Sequence, residues 1–303
     1  MAKLGSQDLD ASRATFRRLA AAFAPHVPPS HLDAYRQAAH ATLKLQTSFS
    51  PVAEAVAPLV EEGKIWLWSG PWEYGDLTAL HTVVDEIILR KEYYFRTNQR
   101  DALVIDAGAN FGMATYYVKR MGLTSRVICF EPNPECYQRL VRNVAANRFT
   151  GVEIHNAALG ETDGEADFYF SSDRPLAGSL SPRNAKDNIR CEPTAVRRLS
   201  TYLDQPIALL KLDIEGAEAD VLEEASGRLA VVENIFCEVH PVHGETPSLL
   251  TRTLAVLEQA GFYVHVGRSP WSERAHAERP LTRASHPYSL SVFATRNAAR
   301  PAA

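Results

Sequence analysis

Two short apolar segments of this chain each carry a carboxylate at or near their end. The first, over 103–107, contains Asp106 and is followed by a small-residue turn with Gly108; the second, over 126–130, is followed by Glu131. In an open parallel sheet, ligands bind beyond the carboxyl ends of the strands, and a glycine turn lets a ligand approach the backbone closely. The two segments therefore predict one nucleotide cofactor lying across two neighbouring strand tips.

The spacing within the first turn distinguishes between two cofactors. A dinucleotide site calls for Gly-x-Gly-x-x-Gly, whereas Asn110 stands at the middle position here and the spacing is Asp-x-Gly-x-x-x-Gly. Asp106 would repel a diphosphate but suits a cationic amino-acid group. Glu131 can accept hydrogen bonds from both hydroxyls of a ribose. Together these residues favour S-adenosylmethionine over NAD.

Further cofactor contacts are expected from residues beside these two turns and at the third strand. Asn156 and Ala157 follow the third strand segment and are expected to contact adenine, although asparagine is also an ordinary turn residue. The remaining predicted cofactor contacts are Phe111, Pro132, Asn133 and Asp213.

Four segments of the chain, taken in order, are similar to motifs of the FkbM-family methyltransferases. They are the segments 104–112, 130–134, 156–160 and 210–218, and the likeness spans about 103–241. The resemblance implies a class I S-adenosylmethionine-dependent methyltransferase that acts on a hydroxyl of a sugar or a natural product. It does not identify the acceptor.

Methyl transfer to a sugar hydroxyl calls for a group that activates a weak nucleophile. Asp213 ends one strand segment, and Glu238 and His240 end the next. If these strands are neighbours, about 4.8 Å apart, the three side chains converge on one point. We expect this cluster to be catalytic.

Two interpretations of the cluster stay open. In one, His240 or Asp213 is the general base that takes the hydroxyl proton, and imidazole has the better-matched pKa. In the other, Asp213, Glu238 and His240 hold a divalent cation such as Mg²⁺, which binds the acceptor oxygens.

Strand and helix patterns alternate along the chain, which predicts an α/β fold. The expected fold is a class I methyltransferase (Rossmann-like) seven-stranded, mostly parallel sheet with helices on both faces, plus an N-terminal helical extension. The predicted strands are 103–107, 126–130, 152–156, 207–213, 232–239, 263–266 and 289–294. The predicted helices of this part are 112–122, 135–147, 217–228 and 246–260. The resemblance implies that the last strand is antiparallel.

The domain boundary is expected near residue 98. Residues 1–98 would form an N-terminal helical extension and a lead-in helix, and residues 99–303 the S-adenosylmethionine-binding methyltransferase domain. The extension is predicted to contain helices over 10–24, 29–45 and 77–95, with a short strand over 64–68 before a turn-rich segment. Two polar segments, 171–198 and 267–288, exceed the usual connection of about 4–6 residues and are candidate lids or acceptor loops.

Composition is that of a soluble enzyme with a sizeable core: 303 residues, 46% hydrophobic and 22% charged. A net charge of -4 gives no basic field for nucleic acid. No apolar run approaches the roughly 20 residues of a membrane span, and the first residues lack a signal peptide's apolar segment, so a cytoplasmic location is expected. The expected partner is a small-molecule or saccharide hydroxyl acceptor, and a homodimer is left open.

Three functions from different classes compete for this sequence. The leading one is an O-methyltransferase acting on a saccharide or secondary-metabolite hydroxyl. An NAD-type oxidoreductase is second, and the glycine spacing and Asp106 count against it. The third is a non-catalytic nucleoside-binding module of the same fold.

Overall fold

The structure, a computed structural model, describes most of the chain from residue 59 onward. Described are residues 59–61, 63–67, 70–75, 77–97, 99, 101, 103–171, 174–180, 189–240, 248–268 and 289–296, with 21, 24–27, 29, 32, 33 and 35. The predicted helices over 10–24 and 29–45 and the segment 267–288 lie almost entirely outside the described residues. The described residues fall into two compact units. One contains residues up to Glu92 with 111–113 and 139–149, and the other contains the rest.

The first unit contains a small antiparallel sheet and a helix. The strands are β1 (Val60–Glu61), β2 (Lys64–Leu67) and β3 (Gly70–Glu73), and the helix is α1 (Leu77–Val83). The prediction of a turn-rich segment after β2 was wrong over β3, because Trp72 is buried there. Its indole N–H donates to the carbonyl oxygen of Phe111 at 3.0 Å.

The predicted helix over 77–95 is shorter in the structure. After α1 the chain makes a π-helical turn over Val84–Leu89, and the helix ends there. Lys91 has φ +59°, a left-handed conformation that a helix cannot continue through. Tyr93 therefore lies beyond the helix and packs edge-on against Phe236, with ring centroids 4.7 Å apart.

The second unit is built on the predicted seven-stranded sheet. From residue 103 onward, the strands and helices in chain order are β4 (Leu103–Ala107), α2 (Met113–Arg120), β5 (Arg126–Phe130), α3 (Pro134–Ala146), β6 (Val152–His155), then, after an insertion of four strands named β7 to β10 below, β11 (Ile207–Leu212), α4 (Glu218–Glu224), β12 (Val232–Val239), α5 (Ser248–Gln259), β13 (Tyr263–Arg268) and β14 (Leu290–Thr295). Of these residues, Met113 of α2 and residues 139–146 of α3 belong to the first unit. Two short 3₁₀ helices cover Leu199–Tyr202 and Ser226–Val231.

The strand order confirms the expected fold. The sheet runs β13-β14-β12-β11-β4-β5-β6, with β14 antiparallel to both of its neighbours and the other pairs parallel. Alternate residues of a strand face opposite sides of a sheet. Leu103 and Ile105 pack in one apolar cluster with residues of α4 and α5, whereas Val104 lies beside Ala114 and Val118 of α2. Helices therefore cover both faces, which is the Rossmann-like α/β arrangement.

An insertion between β6 and β11 forms a second sheet, which the sequence analysis missed. Its strands are β7 (Ala157–Leu159), β8 (Gly164–Ser171), β9 (Arg174–Ser179) and β10 (Ile189–Arg197), in the order β7-β10-β8-β9. The prediction of a polar excursion over 171–198 was wrong, because β10 pairs with β8 along its whole length. Phe168 and Phe170 are buried at a spacing of two, and this alternation was the available sign of a strand.

Among the described residues, no helix combines the length and the apolar composition that a membrane span needs.

Candidate active site at the strand tips

The turn after β4 and the end of β11 are in direct backbone contact. The Asp213 N–H donates to the carbonyl oxygen of Ala107 at 3.3 Å. Gly108 has φ +75°, and a Cβ built on it would lie 1.9 Å from the carbonyl oxygen of Asp213. Glycine is thus required here by the neighbouring strand. Its predicted contact with a cofactor stays a prediction.

Glu131 connects two loops at the tip of β5. Its carboxylate accepts the N–H of Asn110 at 2.6 Å and the N–H of Asn133 at 2.8 Å, and the residue is only 5% exposed. Burial raises the pKa of Glu131 to about 7, although the two N–H donors act in the opposite direction. A carboxylate has about four acceptor positions, so two remain for further donors.

Asn156 holds the loop that follows Glu131. Its side-chain amide donates to the carbonyl oxygens of Glu131 at 2.8 Å and Pro132 at 3.1 Å. A cavity of about 130 Å³ opens beside this loop. It is lined by Pro132, Pro134, Asn156, Phe168, Phe170, Glu192, Pro193, Thr194 and Ala195. Ala157, the other predicted adenine contact, is buried in β7.

Asp106 lies inside the sheet and not in an open crevice. Its side chain accepts the hydroxyl proton of Thr115 at 2.9 Å and lies 3.4 Å from the ammonium of Lys211. The charge of Asp106 is therefore already balanced by a buried cation. This placement weakens the electrostatic reason for assigning Asp106 to a cationic cofactor group, and that assignment stays a prediction.

Lys211 was not among the predicted site residues. The lysine is 4% exposed and lies in β11, directly opposite Asp106 of β4. Burial by itself lowers the pKa of Lys211, but the carboxylates of Asp213 and Asp106 raise it above its usual value. A single lysine within the apolar run 207–212 was the available sign of such a pair.

Asp213, Glu238 and His240 come together, as the neighbouring strands β11 and β12 require. The imidazole Nε2 of His240 lies 3.9 Å from Asp213 Oδ1 and 3.8 Å from Glu238 Oε1. One ligand atom from each of the three residues lies within 4.8 Å of the other two. The donor set of one imidazole and two carboxylates suits a divalent cation as well as proton transfer.

Two further acids lie beside His240, and neither is among the predicted site residues. Glu218, only 1% exposed by its side chain, lies 3.0 Å from the Nδ1 of His240 and accepts the N–H of Gly216 at 3.0 Å. Glu215 lies 3.9 Å from the Nε2 of His240 and has φ +60°. The spacing Asp-x-Glu-x-x-Glu over 213–218 was the available sign that these two acids lie near Asp213.

The carboxylates control the charge of this cluster. Burial by itself lowers the pKa of His240, but Glu215, Glu218 and Glu238 raise it well above its usual value. Burial, followed by the nearby Asp213, raises the pKa of Glu238 to about 7. These neighbouring carboxylates favour the protonated form of the His240 imidazole.

Phe111 belongs to the first unit. Its side chain is 2% exposed, and its carbonyl oxygen accepts from Asn143 as well as from Trp72, at 2.9 and 3.0 Å. Its predicted cofactor contact stays a prediction.

Known methyltransferases are similar to a large part of this chain. Methyltransferase 1 of Beauveria bassiana is 29% identical over 209 residues, which cover 62% of this chain and 82% of that protein. Methyltransferase sdnD of Sordaria araneosa is 30% identical over 203 residues, 56% of this chain and 76% of that protein. The 2-O-methyltransferase NoeI of Sinorhizobium fredii is 25% identical over 155 residues, 46% of this chain and 63% of that protein.

The family model of the methyltransferase FkbM domain matches residues 106–264, a little over half of the chain. The matched region contains Glu131 at one strand tip and the cluster of Asp213, Glu238 and His240 at two others. The chain therefore belongs to the FkbM methyltransferase family and is an enzyme of class EC 2.1.1, whose fold implies S-adenosylmethionine as the cofactor.

Proposed function

We propose that the enzyme transfers a methyl group from S-adenosylmethionine to a hydroxyl of a sugar or natural-product acceptor. The observation that carries this proposal is the convergence of Asp213, Glu238 and His240 within 4.8 Å at the tips of neighbouring strands. Such a cluster suits the activation of a weak oxygen nucleophile. The name of the Sinorhizobium fredii relative, a 2-O-methyltransferase, supports oxygen as the acceptor atom.

The cofactor fits the groups at the tips of β4, β5 and β6. Glu131 has two acceptor positions beyond its backbone donors, and we assign them to the ribose hydroxyls. The side chain of Asn133 accepts the N–H groups of Glu135 and Cys136 at the start of α3, and its predicted cofactor contact stays a prediction. We assign the adenine of the cofactor to the side of Asn156 and Pro132, where the cavity lies. The amino-acid end of the cofactor is assigned to the turn at Gly108.

Bound S-adenosylmethionine supplies the methyl group, whose bond to sulfur breaks as the bond to the acceptor oxygen forms, while sulfur keeps the electron pair. The protein's part is to hold the hydroxyl in line and to take its proton. With His240 protonated, Asp213 is the general base that the geometry favours, and His240 orients the acceptor by donating from Nε2. Glu218 fixes the ring through Nδ1.

The alternative role of the same cluster is to bind a divalent cation. Asp213, Glu238 and His240 would be the ligands, and the cation would lower the pKa of the acceptor hydroxyl. Glu218 would then support the ring as the carboxylate partner that histidine ligands usually have.

Two measurements test the proposed function. The purified enzyme is titrated with S-adenosylhomocysteine and, separately, with NADH, and we expect only the first to bind. It is then incubated with S-adenosylmethionine and a panel of hydroxylated acceptors, with release of S-adenosylhomocysteine as the readout. Binding of NADH alone, or transfer only to nitrogen or carbon acceptors, would overturn the proposal. Loss of turnover with a chelator, restored by Mg²⁺, would select the cation over the general base.

A cytoplasmic location and a homodimer remain part of the proposal. Size-exclusion chromatography with light scattering tests the dimer.

A further inference from the structure

Lys211 is a buried cation for which the proposed chemistry has no direct use. It lies in the middle of the sheet, opposite Asp106 in the register of β4 and β11. Burying an ammonium is costly unless the group is fully paired. The contacts of the Lys211 ammonium therefore indicate the role of this residue.

The ammonium of Lys211 contacts two backbone carbonyls and two carboxylates. Its Nζ donates to the carbonyl oxygen of Gly108 at 2.7 Å and to that of Ala107 at 3.3 Å. It also lies 3.4 Å from Asp106 Oδ1 and 3.4 Å from Asp213 Oδ2. An ammonium has three N–H donors, and the two backbone carbonyls accept two of them.

Asp106 is the carboxylate that faces Lys211 across the register of β4 and β11. The shortest contact of Lys211 is instead with Gly108, in the turn that the proposed function assigns to the amino-acid end of the cofactor. The carbonyl oxygens of Ala107 and Gly108 accept hydrogen bonds from Lys211. The Gly108 turn packs closely against the backbone of Asp213. One side chain thus fixes the turn and the neighbouring strand tip together.

We propose that Lys211 is a positioning residue that shapes the Gly108 turn for the amino-acid end of the cofactor. This inference rests on the proposed function, because that function places the homocysteine portion at this turn. Lys211 also balances the charge of Asp106. In this proposal Asp106 affects the Gly108 turn only by holding Lys211 in place.

The test compares two ligands that differ only at the amino-acid end. S-adenosylhomocysteine reaches the Gly108 turn, whereas adenosine carries the same base and ribose and stops short of it. Dissociation constants of both are measured by calorimetry for the wild type, Lys211→Met and the double variant Lys211→Met/Asp106→Asn. The double variant also removes the buried Asp106 carboxylate that Lys211→Met leaves without a cation, so it keeps the test available if the single variant fails to fold.

The matched control is Lys119→Met. Lys119 also donates to two backbone carbonyls, those of Ser125 at 2.6 Å and Thr150 at 2.7 Å, which lie before the amino ends of β5 and β6. That edge of the sheet is opposite to the proposed cofactor site. Lys119→Met should change neither dissociation constant.

Loss of Lys211 should weaken the binding of S-adenosylhomocysteine by roughly tenfold or more and leave the affinity for adenosine unchanged. The reason is that displacing a positioned group affects only the part of the ligand that it orients. The preference for S-adenosylhomocysteine over adenosine should fall in both Lys211 variants. If Lys211 has a purely structural role, its loss changes the dissociation constants of both ligands equally, or changes neither once the double variant restores stability. Either result overturns the inference. If the wild type binds neither ligand, the proposed function itself fails.

Discussion

Glu131 has the most closely defined environment of the candidate cofactor residues. It is buried, it accepts two backbone N–H groups, and its charged form is disfavoured by burial. Its position at the tip of β5 follows from the sequence pattern. Its second task, to join the Asn110 and Asn133 loops, depends on contacts that only the folded chain shows.

Replacing Glu131 by alanine should weaken S-adenosylhomocysteine binding by about 1–3 kcal/mol, the range for hydrogen bonds to a charged group. Calorimetric titration measures the change. Asp204→Ala is the control, because Asp204 is exposed and precedes the amino end of β11. Equal affinities of the wild type and Glu131→Ala would remove Glu131 from the ribose site.

His240→Ala should lower methyl transfer roughly a hundredfold or more while leaving S-adenosylhomocysteine affinity unchanged, because the residue is assigned to the acceptor and not to the cofactor. Turnover with an acceptor found in the panel, alongside calorimetric binding, separates the two effects. His265→Ala, on an exposed position of β13, is the control. Full turnover by His240→Ala would exclude the residue from catalysis.

The side-chain cluster around His240 was only partly predictable from single residues. Asp213, Glu238 and His240 could be placed together because parallel neighbours end at one sheet edge. Glu218 could equally have served the start of α4, and only its distance of 3.0 Å from His240 gives it a second role. The charge of His240 depends on acids from several segments, so its pKa could not be inferred from sequence.

The β4 turn and the end of β11 are in direct backbone contact, which brings the Gly108 turn next to Asp213. The sequence predicted a glycine turn for ligand approach. In the structure, the turn approaches a neighbouring strand, and Gly108 leaves room for the carbonyl oxygen of Asp213.

Gly108→Ala should lower the free energy of unfolding by about 1–3 kcal/mol and abolish measurable S-adenosylhomocysteine binding, since the new Cβ clashes with backbone at a positive φ. Urea unfolding and calorimetry provide the two readouts. Gly164→Ala is the matched control, because a Cβ there meets no atom within 4 Å. A Gly108→Ala variant as stable as Gly164→Ala would contradict this view of the turn.

The inserted sheet of β7 to β10 shows where element prediction fails. Its outer positions are polar, so the segment reads as a loop unless Phe168 and Phe170 are recognised as one alternating face. Four of its residues from 192 to 195, together with these two rings, line the cavity beside Pro132 and Asn156. The insertion therefore belongs to the surroundings of the proposed cofactor site.

The contribution of Glu131 to the stability of the ligand-free protein should fall as pH rises from about 4.5 to about 7. In this window the folded state keeps a proton on Glu131, whose pKa is raised to about 7, while the unfolded state has released it. Above the window both states are deprotonated and the contribution stays lost. Glu131→Gln should remove on the order of 2–3 kcal/mol of this pH dependence.

Urea unfolding at several pH values across the window, for the wild type and Glu131→Gln, checks this prediction. The difference between the two curves isolates Glu131 from other buried acids such as Glu238. Asp204→Asn should keep the dependence of the wild type. Parallel curves for the wild type and Glu131→Gln would show that Glu131 has the same pKa in both states.

The sequence by itself determined the α/β class, the seven core strands, the cofactor type and the convergence of Asp213, Glu238 and His240. These follow from local signals: apolar runs, glycine turns, and acids at strand ends, whose common edge is a property of parallel sheets. The tertiary structure alone decided the pairing of β8 with β10, the clamp of Lys211 on the Gly108 turn and the charge of His240. Each of these depends on burial and on distances between segments far apart in the chain, which no local pattern encodes.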